Sequence, residues 1–219
     1  MLEIIIKGGS MMLPLMVCSV LTVAVIIDRW LAFRANRAID TRALRAKVLT
    51  LLTRGNPADA AALCAGTPGP VSAVLLSGLD SYARHKQYTT RPESISMIMK
   101  EAMTDYAQHA ISAVEKRLNV LSTVGNAAPL FGMTGTVTGM ISSFNAIASA
   151  GGISAGLVAG GISEALITTA AGLLIALMAV LPYHWFTTQA DDIHLEIQEA
   201  ISELLDFVAT QLERPAEAH

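Results

Sequence analysis

Between Leu118 and Ala190 the chain carries a single formally charged side chain, Glu164. About 20 apolar residues at 1.5 Å rise cross a ~30 Å hydrocarbon core, so this stretch has room for two crossings joined by a turn. The run from Ser149-Ala150-Gly151-Gly152 through Gly160-Gly161 is glycine-rich and uncharged, which places the turn. The expected segments are a second span over 119–149, a turn over 150–161 and a third span over 162–187. Tyr183 and Trp185 stand where aromatic side chains favour a membrane interface.

A first span is expected over 11–33, apolar except for Ser19, Thr22 and the Asp28-Arg29 pair near its end. Trp30 and a basic cluster (Arg34, Arg37, Arg42, Arg45, Lys47) follow it, and the positive-inside rule makes that side cytoplasmic. A short N-tail over 1–10 and the 150–161 turn then face the periplasm. Lys7 is the only basic residue before the apolar run and no small-residue cleavage site follows, so the run reads as an uncleaved anchor. The chain is 53% hydrophobic, 15% charged and 5% aromatic, which favours close-packed helices over a barrel with aromatic girdles. The fold class expected is an all-α membrane protein with three transmembrane helices, whose long helices extend into a cytoplasmic helical domain.

Charge is segregated. Of the 15 Lys and Arg, 12 lie between Arg34 and Arg117, and eight of the 18 acids fall from Asp191 onward. The segment 34–118 is punctuated as short helices: Asp40 is a candidate cap, Gly55 a stop, Asn56-Pro57 a start, and Thr67-Pro68-Gly69-Pro70 a break. A helix from Val71 to about Lys86 follows. From Pro92 onward Ile95, Met99, Met103, Tyr106, Ala110, Val114, Leu118 and Leu121 recur at threes and fours, a stripe running without interruption into the second span. Over 188–219, Ile193, Ile197, Ile201, Leu204, Val208 and Leu212 form one face of a charged cytoplasmic helix, and the last residues from Arg214 read as frayed. Cys18 and Cys64 have no metal-ligand spacing and are expected as free thiols.

The second span is too polar and too small for a helix surrounded by lipid. Gly125, Pro129, Gly132, Thr136, Gly139 and Ser143 fall on one face, and Ala165, Thr169, Gly172, Ala176 and Ala179 form a matching stripe on the third span. Two readings are open: tight helix packing, or a shared surface lining a pore, where hydroxyls bond water without adding charge. An ionised carboxylate inside hydrocarbon costs on the order of 2.5 kcal/mol or more, so Glu164 sits at the membrane edge or serves as a titratable pore residue; Thr168 lies one turn beyond it. Asp28-Arg29 reads as an interfacial pair. His184 lacks convincing metal-ligand geometry, and no nucleophile-base triad, paired-carboxylate site or phosphate-binding glycine pattern is present. No enzyme activity, metal, cofactor or nucleic-acid partner is therefore expected.

Two blocks, Ala128-Pro129-Leu130-Phe131-Gly132-Met133-Thr134-Gly135-Thr136-Val137-Thr138-Gly139-Met140 and Gly161-Ile162-Ser163-Glu164-Ala165-Leu166-Ile167-Thr168-Thr169-Ala170-Ala171-Gly172-Leu173, resemble the MotA/TolQ/ExbB proton channel family, most of all its three-span ExbB and TolQ members. The resemblance implies an inner-membrane homopentamer whose second and third spans enclose a threaded ExbD/TolR-like dimer. With a TonB-like protein, it would use the proton motive force to energise outer-membrane transport. It places Thr136, Thr169 and Glu164 toward the pore, adds Thr168 to the candidate proton path, and leaves Pro129, Gly132, Gly135, Gly139, Ser143 and Gly172 as a small-residue pore or packing face. The partner's membrane aspartate would supply the missing carboxylate. One charge moved through ~100 mV is worth about 2.3 kcal/mol, so several protons can accumulate useful work. A TolQ-like role in the Tol-Pal envelope system, or a partner-independent transporter, are the alternatives. One departure stands out: the family's Ala-Ile-Pro-Ala-Val run is replaced by Ala176-Leu177-Met178-Ala179-Val180-Leu181-Pro182, which moves proline four residues on.

Overall fold

Residues 8–85, 92–150 and 155–213 are described by the computed structural model, and among them every regular element is a helix. In chain order these are α1 (Met12–Arg37), α2 (Thr41–Thr53), α3 (Pro57–Gly66), α4 (Pro70–His85), α5 (Pro92–Ala150) and α6 (Ala155–Glu213). The N-terminal residues 1–7, the 86–91 segment, the 151–154 part of the glycine-rich turn and the tail from Arg214 lie outside the described residues.

The punctuation acts locally as its chemistry dictates. The Asp40 carboxylate accepts from the Ala43 amide at 3.0 Å and caps α2. The helix ends at Thr53, and Gly55 follows at φ +78, a conformation that costs glycine little. Pro57 opens α3, although the Asn56 side chain makes no cap bond. Pro70 opens α4 immediately after the expected break.

The two long helices contain 59 residues each, and both carry a proline in mid-course, Pro129 and Pro182, without ending there. The helix that carries the apolar stripe from Pro92 runs unbroken to Ala150. It steps from Met103 to Ala107, both buried, and leaves Tyr106 exposed at its edge. The expected boundary between the third span and the C-terminal segment, at Thr187, falls inside α6, a single helix over Ala155–Glu213. Phe186, Ala190, Ile193 and Ile197 are all buried, so the period of burial continues across the change from apolar to charged composition, and no glycine or proline stands there to stop it.

The chain divides into two compact units, one from the residues up to Trp30 with Lys116–Thr187, the other from Leu31–Glu115 with the residues after Thr187. In the second unit Leu44, Val48, Cys64, Val71, Leu75 and Leu79 from the short helices are buried, as are Ile95, Met99, Met103, Ile197 and Leu204 from the long ones. A β-carbon on Gly78 would stand 2.5 Å from the Met103 sulfur, so α4 lies tightly against α5, and the Ser77 hydroxyl donates to the Ala102 carbonyl at 3.2 Å. Arg45, almost wholly buried, bridges Glu199 at 3.0 Å and Glu203 at 3.2 Å and ties α2 to α6. Among the described residues of this unit the large exposed apolar side chains are few: Leu31, Met97, Tyr106 and Leu195.

Both cysteines are free and buried. Burial pushes the Cys64 thiol up to about 11. At pH 8 the thiolate fraction is then about 0.1%, so Cys64 should resist maleimide labelling in the folded protein and react promptly once urea opens the second unit, as peptide mass spectrometry would read.

Candidate functional site

In the first unit α1 packs with the Lys116–Ala150 part of α5 and the Ala155–Thr187 part of α6. Met12, Leu15 and Cys18 of α1 form one buried cluster with Val124 and Ala128 of α5 and Ala176 and Ala179 of α6. The exterior is of another kind. Leu13, Val17, Val20, Leu130, Met133, Phe144, Leu166, Leu173, Leu177 and Leu181 are all exposed, far more apolar surface than water tolerates on a monomer. Two helical stretches, Met12–Arg37 and Val158–Thr210, are both long and apolar enough to cross a membrane. α5 is not among them, because glycine, threonine, serine and asparagine dilute its hydropathy over Lys116–Ala150.

The two long helices meet backbone to backbone. A β-carbon on Gly172 would lie 2.6 Å from the Ala128 carbonyl oxygen and 3.0 Å from the Gly132 Cα, and one on Gly132 3.1 Å from the Thr169 Cα. Gly139 faces Ala165 and the Gly161 carbonyl, Gly125 faces Val180, and Gly135 faces the Thr168 side chain. Partner numbers fall on α6 as they rise on α5, so the pair is antiparallel. Absence of side chains at these positions lets the helices come close enough for dispersion and interhelical hydrogen bonds to act.

This seam takes up most of the expected small stripe. Gly125, Gly132, Gly139 and Ser143 are buried in it, together with Gly135 and Ala128, while Pro129 and Thr136 are only half-buried on its flank. On α6, Ala165, Thr168, Gly172, Ala176 and Ala179 are buried and Thr169 is half-buried. The Ser143 hydroxyl donates to the Gly139 carbonyl at 3.1 Å. The Thr169 hydroxyl donates across the seam to the Gly132 carbonyl at 3.0 Å, whereas that of Thr136 turns back to Met133 of its own helix at 2.5 Å. Thr168 is fully buried, and its hydroxyl lies 2.6 Å from the Gly8 carbonyl and 2.9 Å from that of Glu164. Glu164 itself is half-buried on the first turns of α6.

Sequence reasoning missed three features. Asp28 is held by Arg29 at 2.8 Å and also by Arg117 at 2.6 Å, a contact 89 residues away that ties α1 to α5. Gly8 and Gly9 lie against Thr168 and Glu164. A third feature carried a readable signal: Thr123, Asn126, Thr134, Thr138, Ser142 and Asn145 recur mainly at threes and fours and are all exposed on α5 outside the seam, a polar row interleaved with exposed Leu130, Val137, Ile141 and Phe144. Thr123, Asn126, Thr134 and Thr138 satisfy themselves on carbonyls one turn back, at 2.8 to 3.1 Å.

Residues 67–199 match the model of the MotA/TolQ/ExbB proton channel family, well over half of the chain. The chain belongs to this family. It is similar to the Tol-Pal system protein TolQ of Haemophilus influenzae, 33% identical over 61% of this chain and 59% of that protein. It is also similar to the biopolymer transport protein ExbB of Xanthomonas campestris, 28% identical over 64% of this chain and 58% of the other. Against the biopolymer transport protein exbB1 of Vibrio cholerae, identity is 28% over 89% of this chain and 82% of that protein. The alignments with the first two thus span less than two thirds of those relatives. Family membership and the apolar helices together make this a membrane protein of the ExbB and TolQ type, and the matched stretch contains the whole seam.

The seam makes a sharp contrast between glycines. Gly172→Ala places a methyl group against backbone and should lower the thermal midpoint in detergent by the equivalent of about 1 to 3 kcal/mol. Gly160→Ala meets nothing within 4 Å and should leave the midpoint unchanged or slightly raised.

Proposed function

We propose that the chain is the multi-helix subunit of a proton-driven inner-membrane motor, ExbB-like in role. The observation that carries the reading is the character of α5 over Leu118–Ala150: one face is zipped to α6 by glycines, and the exposed side sets hydroxyl and amide groups among apolar side chains, with no charge. Lipid is a poor partner for those hydroxyl and amide groups, and water or another polar helix is a good one. On this reading α1, the apolar half of α5 and the first half of α6 are three spans, with the N-terminus periplasmic and the second unit and C-terminus cytoplasmic. Five copies surround an ExbD/TolR-like dimer, whose membrane carboxylate carries the proton. No step in this role requires enzymatic chemistry.

Thr136 and Thr169 flank the seam, so their hydroxyls sit at the edge of the helix pair, where a proton-bearing group of the partner can reach them. Thr169 both receives its place from the Gly132 carbonyl and offers two acceptor lone pairs to water or to a protonated carboxyl. Glu164, close to one end of the third span, attracts cations to the entrance. Thr168 is fully buried with its hydroxyl engaged, and in this proposal it holds structure beside the path.

The relatives carry both names, and TolQ of Haemophilus influenzae is the more identical over its aligned part, so a TolQ-like role in the Tol-Pal envelope system is the second reading. Complementation separates them: the ExbB-like role predicts rescue of TonB-dependent uptake and not of Tol-dependent envelope integrity.

In liposomes, the chain reconstituted with its ExbD/TolR-like partner should conduct protons, and the chain alone should not. Thr169→Ala should cut partner-dependent flux about tenfold, the upper scale of one hydrogen bond, and Thr169→Ser should restore most of it. Equal flux with and without partner would overturn the motor reading in favour of a self-sufficient transporter.

A further inference from the structure

The second half of the candidate path is approached by a piece of backbone that no part of the function above uses. Gly8 is buried, and its carbonyl lies 2.6 Å from the Thr168 hydroxyl, a contact between groups 160 residues apart. Gly9 follows at φ +69. A β-carbon on Gly9 would stand 1.8 Å from the Glu164 Oε1 atom, 2.8 Å from its Cδ and 3.3 Å from its Cγ. The carboxylate therefore occupies the space that a side chain at position 9 would need. The Gly9 and Ser10 carbonyls then accept from the Met12 and Leu13 amides at 3.2 and 3.3 Å, so this backbone is fixed directly to the first turn of α1.

We infer that Gly8–Ser10 is a clasp that holds the Glu164 carboxylate against the start of α1, with Gly9 as the positioning residue and Thr168 as the anchor. The contact itself stands on geometry alone; its bearing on proton entry rests on the role proposed for Glu164. Two properties of glycine are used together at position 9: the left-handed backbone that lets the chain turn into α1, and the missing β-carbon that admits the carboxylate. Thr168 reaches its partner because it is wedged from the opposite side, where a β-carbon on Gly135 would lie 2.4 Å from its methyl carbon. The glycine at 135 thus seats the threonine, the threonine anchors Gly8, and Gly9 admits the carboxylate. A chain that loses any of these contacts frees Glu164 to move away from α1.

The turn and the clasp make different demands on residue 9, which allows a clean test. Asparagine tolerates a left-handed backbone better than other side chains, so Gly9→Asn keeps the turn while its β-carbon displaces the carboxylate. Thr168→Val keeps the shape and removes the hydroxyl. The full-length protein in proteoliposomes would be treated with a carbodiimide, and modification of Glu164 followed by peptide mass spectrometry. In Gly9→Asn and Thr168→Val, Glu164 should be modified about fivefold faster than in the unaltered protein. Rates within about twofold of the unaltered protein in both variants would overturn the clasp. Labelling does not depend on conduction, so failure of the clasp and failure of the proton-path reading would show in different measurements.

Discussion

Where α5 and α6 touch at Gly132 and Gly172, peptide backbone meets peptide backbone, and a β-carbon at either position would press on the facing chain. Gly132 against Thr169, Gly139 against Ala165 and Gly172 against Ala128 fix both the separation and the register of the pair. In a membrane there is no hydrophobic drive to bring helices together, because lipid tails solvate leucine as well as another helix does. Close approach and the hydrogen bond from Thr169 to the Gly132 carbonyl supply the attraction instead. The rest of the first unit follows: α1 covers the closed pair through Met12, Leu15 and Cys18, and other bulky apolar side chains, among them Leu13, Leu130 and Leu173, are exposed.

Putting the small residues in the seam decides what is left for function. The glycines are used up in packing, and the groups that remain available are the threonines beside the seam and the polar row of α5. Nearly all of them are uncharged. A surface of hydroxyls and amides can solvate a proton carrier that arrives from elsewhere without trapping it in one position, which is why the proposed mechanism assigns the carboxylate to a partner. In the first unit Asp28 pairs with both Arg29 and Arg117, and Glu164 lies beside Gly9.

Helical periodicity and breakers made most of the elements legible from sequence: the cap at Asp40, the starts at Pro57 and Pro92 and the stripe through Met103 to Leu121 are where physical chemistry puts them. At Thr187 charge replaces apolar residues without any residue that ends a helix, and α6 continues through the change. Periodicity also left the seam ambiguous by one position, because 3.6 lies between steps of three and four and both Gly135 and Thr136 are small. Gly135 is the one buried against α6. The contacts of Arg117 with Asp28 and of Gly8 with Thr168 join residues far apart in sequence, and no local pattern announces them. Partner, subunit number and pathway belong to surfaces that a single chain does not pair, so they rest on family membership and on the experiments proposed.

The packing of the first unit depends on the α5–α6 seam, and the seam can be locked. A β-carbon on Gly139 would stand 3.1 Å from the Ala165 Cβ, close to the roughly 3.5 to 4.5 Å separation of disulfide-linked residues. The measurement is disulfide formation between Gly139→Cys and Ala165→Cys under a mild oxidant, in membranes and with Cys18 and Cys64 replaced by alanine, read by non-reducing peptide mass spectrometry. The expected result is a bond within one chain, formed readily and nearly completely. A pair that stays reduced, or that links only separate chains, would contradict it.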